Sequence, residues 1–147
     1  MAREFSLTGF AGFLTKAVVH YEVEKAHALK KAAKVLQEES QRVIGTYDYG
    51  WPELAESTKA DRLHKGYTEN DPLLRSGEMR ESIEIGPISG GALTTTIEVG
   101  SNNDKAVWQE LGTDRIPARS FLGLAAVKET PEIIEILGGS IPLIKLP

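Results

Sequence analysis

The chain contains no cysteine. That absence removes disulfides, thiolate nucleophiles and cysteine-ligated zinc together, and it fits a reducing cytoplasm. No run approaches the ~20 apolar residues of a membrane span. The first ten residues, MAREFSLTGF, carry one arginine but no apolar core of signal-peptide length. The expectation is therefore a protein neither secreted by that route nor embedded in a membrane. An excess of positive charge is lacking too: 21 acidic residues against 17 basic ones give a net charge of -4. Wrapping of nucleic acid is driven by clustered lysine and arginine, so contact with DNA is expected to be local or fleeting.

What is present suits a single domain. The length of 147 residues, 41% hydrophobic and 26% charged, matches an ordinary folded chain rather than a disordered one. We expect one domain over 1–147, with arms at 1–9 and 138–147. No proline occurs from Phe10 to Ile44, and apolar residues recur at Phe10, Phe13, Leu14, Ala17, Val18, Tyr21, Ala28, Leu29, Ala32, Val35, Leu36 and Val43. Spacings of three, four and seven place these on one side of a long amphipathic helix, and Gly45 supplies its stop. At ~1.5 Å per residue such a helix outreaches the core of a domain this size, so part of its stripe is expected to meet another chain.

Residues 46–72 mix aromatics with turn formers and read as an excursion, within which a short helix begins at Pro52. Two segments rich in Ile, Thr and Val, Glu81 to Ile88 and Leu93 to Val99, flank Ser-Gly-Gly-Ala and read as an antiparallel hairpin with one buried face. A brief helix closed by Gly112 follows, then an extended Ile116-Pro117 step and a second helical pattern. The apolar end of the chain, from Pro131, reads as an edge strand or an arm. The expected fold is α+β: a long N-terminal amphipathic helix and a shorter second helix packed on a small antiparallel sheet.

Candidate chemistry is sparse. His20 and His27 lie seven apart, two turns rather than one, and cannot share a metal as an i, i+4 pair would. His64 sits in a charged stretch. There is no Gly-x-Ser-x-Gly elbow, and the glycines near Gly90 have no phosphate-loop lysine. Lys30, Lys31 and Lys34 are followed by Glu38 and Glu39, as on a solvated helix face. No catalytic residue, metal or cofactor is assigned. What stands out are arginines beside tight turns and apolar anchors, in PLLRSGEMRESI and VWQELGTDRIPARSFL, a composition suited to loops held by guanidinium hydrogen bonds. In the second stretch Glu110, Gly112 and Thr113 are expected to set a tight turn and Arg119 to tie the chain to a neighbouring loop. Phe121 and Leu122 would then lock the next helix onto the sheet.

In their order these motifs resemble the phage virion morphogenesis and tail-completion families. The resemblance runs over Trp51 to Thr58, Pro72 to Ile83, Val99 to Ser101 and Val107 to Leu122, and covers roughly residues 10–128. It singles out Trp51, Pro52, Leu74, Arg75, Gly77, Arg80, Ser82, Ile83, Trp108, Glu110, Gly112, Thr113, Pro117, Arg119 and Phe121 as structural and interface positions. Ser120 stands where the family often has a second proline, and Trp108 where tyrosine or histidine is common. The resemblance implies a non-enzymatic neck component of a long-tailed bacteriophage or prophage, a ring that joins the tail to the DNA-filled head. The alternatives within that class are a tail terminator or a head-closure protein; a small hydrolase acting on peptide or nucleic acid is the alternative of another class. The implied partners are further copies of the chain, connector or head-closure proteins, and tail terminator or tube proteins, with genomic DNA only in passage and no membrane. The implied location is the virion neck, assembled in the bacterial host cytoplasm.

Overall fold

A computed structural model describes residues 6–91 and 94–139. Helix α1, Leu7–Val43, dominates it. The Ser6 hydroxyl accepts the Gly9 amide at 3.1 Å, satisfying one of the free donors of the first turn. The helix ends where Ile44 turns extended, and the Gly45 amide leaves it for the Pro72 carbonyl, 2.8 Å away. The excursion that follows holds α2, Glu56–His64, which starts four residues later than its leading proline. A single turn, α3 (Glu78–Glu81), then runs into the strands.

The hairpin is shorter and more broken than its sequence suggests. β1 (Ile83–Ile85) pairs antiparallel with β4 (Val99–Ser101), and β2 (Ser89–Gly90) pairs with β3 (Thr95–Thr96). Glu81 still belongs to α3, so the first strand begins late. Ile85 lies opposite Val99, and the Gly86 amide still reaches the Glu98 carbonyl at 2.8 Å, but further out Ser89 lies opposite Thr96. Pro87 and Ile88 thus face Ile97 alone, a bulge of one extra residue at a position whose proline cannot donate to the ladder. The Ser-Gly of the expected turn is β2 itself, and the ribbon closes beyond it through Gly91 and Thr94.

The expected alternation holds where pairing does: Ile83 is buried while Glu84 is exposed. α1 covers that buried side. Its Gln37 amide donates to the Ile83 carbonyl at 2.8 Å, so a side chain meets the edge of β1 that β4 leaves free. The brief helix α4, Asp104–Leu111, is capped by the Asn103 side chain on the Lys105 amide.

Helix α5 spans Leu122–Gly139 and lies along the C-terminal half of α1. It runs through Pro131, so residues 131–139, expected as strand or arm, are helical instead. Pro131 is exposed, as is Val127, whose carbonyl the missing amide would have met; water can serve that carbonyl while the opposite face packs. Of the expected arms, residues 7–9 form the first turn of α1 and 138–139 the end of α5; the remainder lies outside the described residues.

The fold is α+β. Its core gathers Val43, Ile44, Trp51, Met79, Ile83, Ala106 and Phe121 where the end of α1 meets the sheet, α4 and the start of α5.

Candidate functional site

The motif residues converge on one end of the molecule, and hydrogen bonds sew them to each other. Glu110 is the centre of this stitching. Its Oε2 accepts the amides of Phe121 at 2.8 Å and Leu122 at 3.0 Å, while its Oε1 accepts the Gly123 amide at 2.9 Å and the Ser120 hydroxyl at 2.6 Å. Ser120 Oγ in turn accepts the Leu124 amide at 3.2 Å. The free donors at the start of α5 are thereby satisfied, and a carboxylate sits at the positive end of its dipole. Burial pushes the Glu110 carboxyl up, but the Ser120 hydroxyl and the three amides outweigh it and leave it below its ordinary value. Glu110 is thus the tertiary cap of α5 rather than part of the tight turn assigned to it from sequence.

The turn belongs to Gly112, Thr113 and Ile116. The Thr113 amide donates to the Ile116 carbonyl at 2.8 Å, and Thr113 Oγ1 accepts the Arg115 and Ile116 amides at 3.2 and 3.1 Å. Gly112 has φ +76°, and a Cβ there would stand 2.8 Å from the Ala118 nitrogen, so no other residue fits without displacing backbone. Pro117 follows, exposed.

Arg119 ties this strand to a neighbouring loop in the manner expected. It is buried, and its guanidinium donates to the Pro52 carbonyl at 2.8 and 3.2 Å and to the Glu53 carbonyl at 3.2 Å. Trp51, also buried, returns a bond from Nε1 to the Ser120 carbonyl at 3.2 Å and meets Tyr49 edge to face. Phe121 is fully buried among these groups.

The other arginine motif is built alike. Arg80 Nη2 donates to the Ile44 carbonyl at 2.6 Å, joining α3 to the end of α1. Gly77, at φ +88°, opens α3. Ser82 Oγ lies 2.6 Å from Ser101 Oγ across the β1–β4 pair, and Ile83 is buried. Arg75 remains exposed, paired with Asp61 at 2.6 Å and stacked over Tyr67. Leu74 packs at the margin of the core.

Two buried charged residues carry as much of this scaffold and were not singled out from sequence. Arg62 donates to the Asp71 carbonyl at 2.9 Å and the Leu74 carbonyl at 2.7 Å, clamping a turn in which Leu73 adopts φ +65°. Its setting, ADRLHK, looks like any solvated helix and gives no signal. Glu39 is different: spacing from Ala32 and Val43 puts it on the apolar stripe of α1. There it pairs with Arg42 through two bonds of 2.7 Å, and accepts from Tyr49 at 2.8 Å and Lys128 at 2.7 Å. The Arg42 bonds, with Lys128 and Tyr49, override burial and hold its carboxyl at about 2.

Three of the motif segments line a single groove of about 510 Å³. Leu54 comes from the first, Leu73, Arg75 and Met79 from the second, and Trp108, Gln109, Ile116, Pro117 and Arg119 from the third. Trp108 is half exposed at its edge, beside exposed Val107 and Leu111. Gln109 Oε1 is buried in the wall without a hydrogen-bond partner. The groove's carboxylates are engaged: Asp61 with Lys65 and Arg75, Glu78 with Lys105, Glu53 with Lys59. Among the described residues no cluster of His, Asp or Glu could hold a metal ion, and no helix is long and apolar enough to cross a membrane. His20, His27 and His64 are all exposed, the first two seven positions apart on α1 and the third at the end of α2.

A second surface is set by what α5 fails to cover. Lys128 meets Glu39, and further along α5 Pro131, Ile136 and Gly139 border a crevice with Glu24, His27 and Lys31 of α1. The apolar stripe of α1 continues past that end through Tyr21, Val18, Leu14, Phe10 and Leu7, all of them exposed, Leu7 to 86%.

Compared with family models, characterised proteins and solved structures, the chain matches none of them.

Proposed function

We propose that the protein is a structural virion-assembly component of a long-tailed bacteriophage or prophage, a neck or tail-completion protein that joins the tail to the DNA-filled head as a ring. The observation that carries this reading is the uncovered half of α1. From Leu7 to Tyr21 the same stripe that α5 covers further along stays in water. An apolar strip of that length on a folded domain marks an association surface. The motif order supports the phage setting, and the use of its arginines supports an assembly role: Arg62, Arg80 and Arg119 donate to backbone carbonyls and fix loop shape.

In this reading the enzyme class has little to work with, since the groove's acids are tied into ion pairs. The partners are further copies of the chain together with connector, head-closure and tail proteins. The net charge of -4 suits a ring through which DNA passes without adhering. Electron microscopy of particles made without this chain tests the proposal. Free tails beside filled heads are expected; intact infectious particles would refute it.

A further inference from the structure

The groove and the outer face of α5 are complementary, and we propose that they meet between neighbouring copies: α5 of one chain docks into the groove of the next. This rests on the assembly reading and adds to the α1 stripe a second, separate contact. Three cationic side chains of the groove have no carboxylate partner. Arg62 and Arg119 are spent on carbonyls, and the Arg115 side chain is exposed with no bond or ion pair. With Arg75 and Lys105 added and Glu53, Asp61 and Glu78 subtracted, the lining carries a surplus of two positive charges in a chain whose net charge is -4.

The face of α5 turned from α1 has the opposite character. Leu124, Val127 and Ile134 are exposed there to 40, 70 and 63%, recurring at helical spacing around exposed Pro131. Glu135 stands beside that stripe, at the rim of the crevice with α1, exposed and in no ion pair, whereas Glu132 faces the crevice itself. Lys128 on the same helix is bound to Glu39 at 2.7 Å, and Lys31 of α1, across the crevice, forms no ion pair with Glu135. An apolar ridge edged by the free carboxylate of Glu135 therefore faces solvent on one element. A groove floored by buried Leu54 and Met79 with half-buried Ile116, and edged by exposed Trp108 and the free Arg115 guanidinium, opens to solvent on others.

None of the groove's lining comes from α5. The two patches are thus separate surfaces of one chain, which is what a head-to-tail contact requires; repeated around an axis, such a contact closes a ring. Charge pairs at its rim would set register and suppress wrong pairings, while the apolar ridge supplies most of the affinity.

The test is a charge exchange read by sedimentation of the full chain. Arg115→Glu should lower the association constant about tenfold or more, as should Glu135→Arg, and the double variant should recover most of it. Both positions are exposed, so circular dichroism of each variant should match the wild type. Assembly that persists unchanged in both single variants would overturn the α5–groove contact and leave the ring reading standing. A wild-type chain that stays monomeric at every concentration would overturn both.

Discussion

The Phe121 amide donates to Glu110 Oε2 at 2.8 Å, across eleven positions of sequence, and this bond starts helix α5. Because Phe121 is also fully buried in the core, one pair of residues decides both where α5 begins and how it is anchored. Replacing Glu110 by Gln removes the charge and one accepting oxygen, leaving two of the four donors it serves short of a partner. We expect a loss of about 1–3 kcal/mol in unfolding free energy by urea denaturation. An unchanged midpoint would show the cap to be incidental.

Phe121→Ala tests the anchor. A fully buried aromatic truncated to a methyl loses its transfer energy and leaves a cavity, together about 3–5 kcal/mol. A loss below about half a kcal/mol would mean the surrounding core does not depend on it.

Arg119→Lys separates shape from charge. Lysine keeps the charge but cannot present the fork that reaches the Pro52 and Glu53 carbonyls together. The expected cost is about 1–3 kcal/mol, with the Trp51 fluorescence altered because that loop is released. Full stability in the lysine variant would contradict the stitching role.

Acid sensitivity follows from Glu39. Its carboxyl lies at about 2 in the folded chain against an ordinary 4.5. The stabilisation is fully present above the ordinary value and is lost as pH falls toward 2. Glu110, also lowered, adds in the same direction. The thermal midpoint of the wild type should therefore fall from about pH 5 to about pH 2, and Glu39→Gln should show a shallower fall from a lower starting point. Equal slopes would refute the assignment.

The long helix and the α+β class were legible because hydrophobic period and the absence of proline are local properties, and α1 obeys both. The hairpin was legible in kind but not in extent. Glu81 was claimed by α3 and Pro87 forced a bulge, outcomes settled by competition between neighbouring elements. Pro131 misled because a proline on a helix's wet side costs little when the dry side is held, and only the position of α1 reveals which side is which. For the site, sequence marked the Arg119 tie and the burial of Phe121 correctly. It expected Phe121 and Leu122 to lock the next helix onto the sheet, whereas α5 packs mainly along α1. Sequence also missed the role of Glu110, whose partners lie ten to thirteen positions away, at and just before the start of another helix. Arg62 left no trace in the sequence, and Glu39, read with Glu38 as part of a solvated face, is buried; its seven- and four-residue spacing from Ala32 and Val43 was the signal.

The uncovered stripe of α1 is the centre of the account, and the most direct test is sedimentation of the wild-type chain beside a Leu14→Glu/Val18→Glu variant over a wide range of concentration. Both positions are exposed in the single chain, at 43 and 60%, so the variant should keep its fold, with stability within about 0.5 kcal/mol at each site. The expected result is a wild type that gathers into a defined multiple of its mass and a variant whose association constant falls about tenfold or more. A variant that assembles as well as the wild type would contradict it.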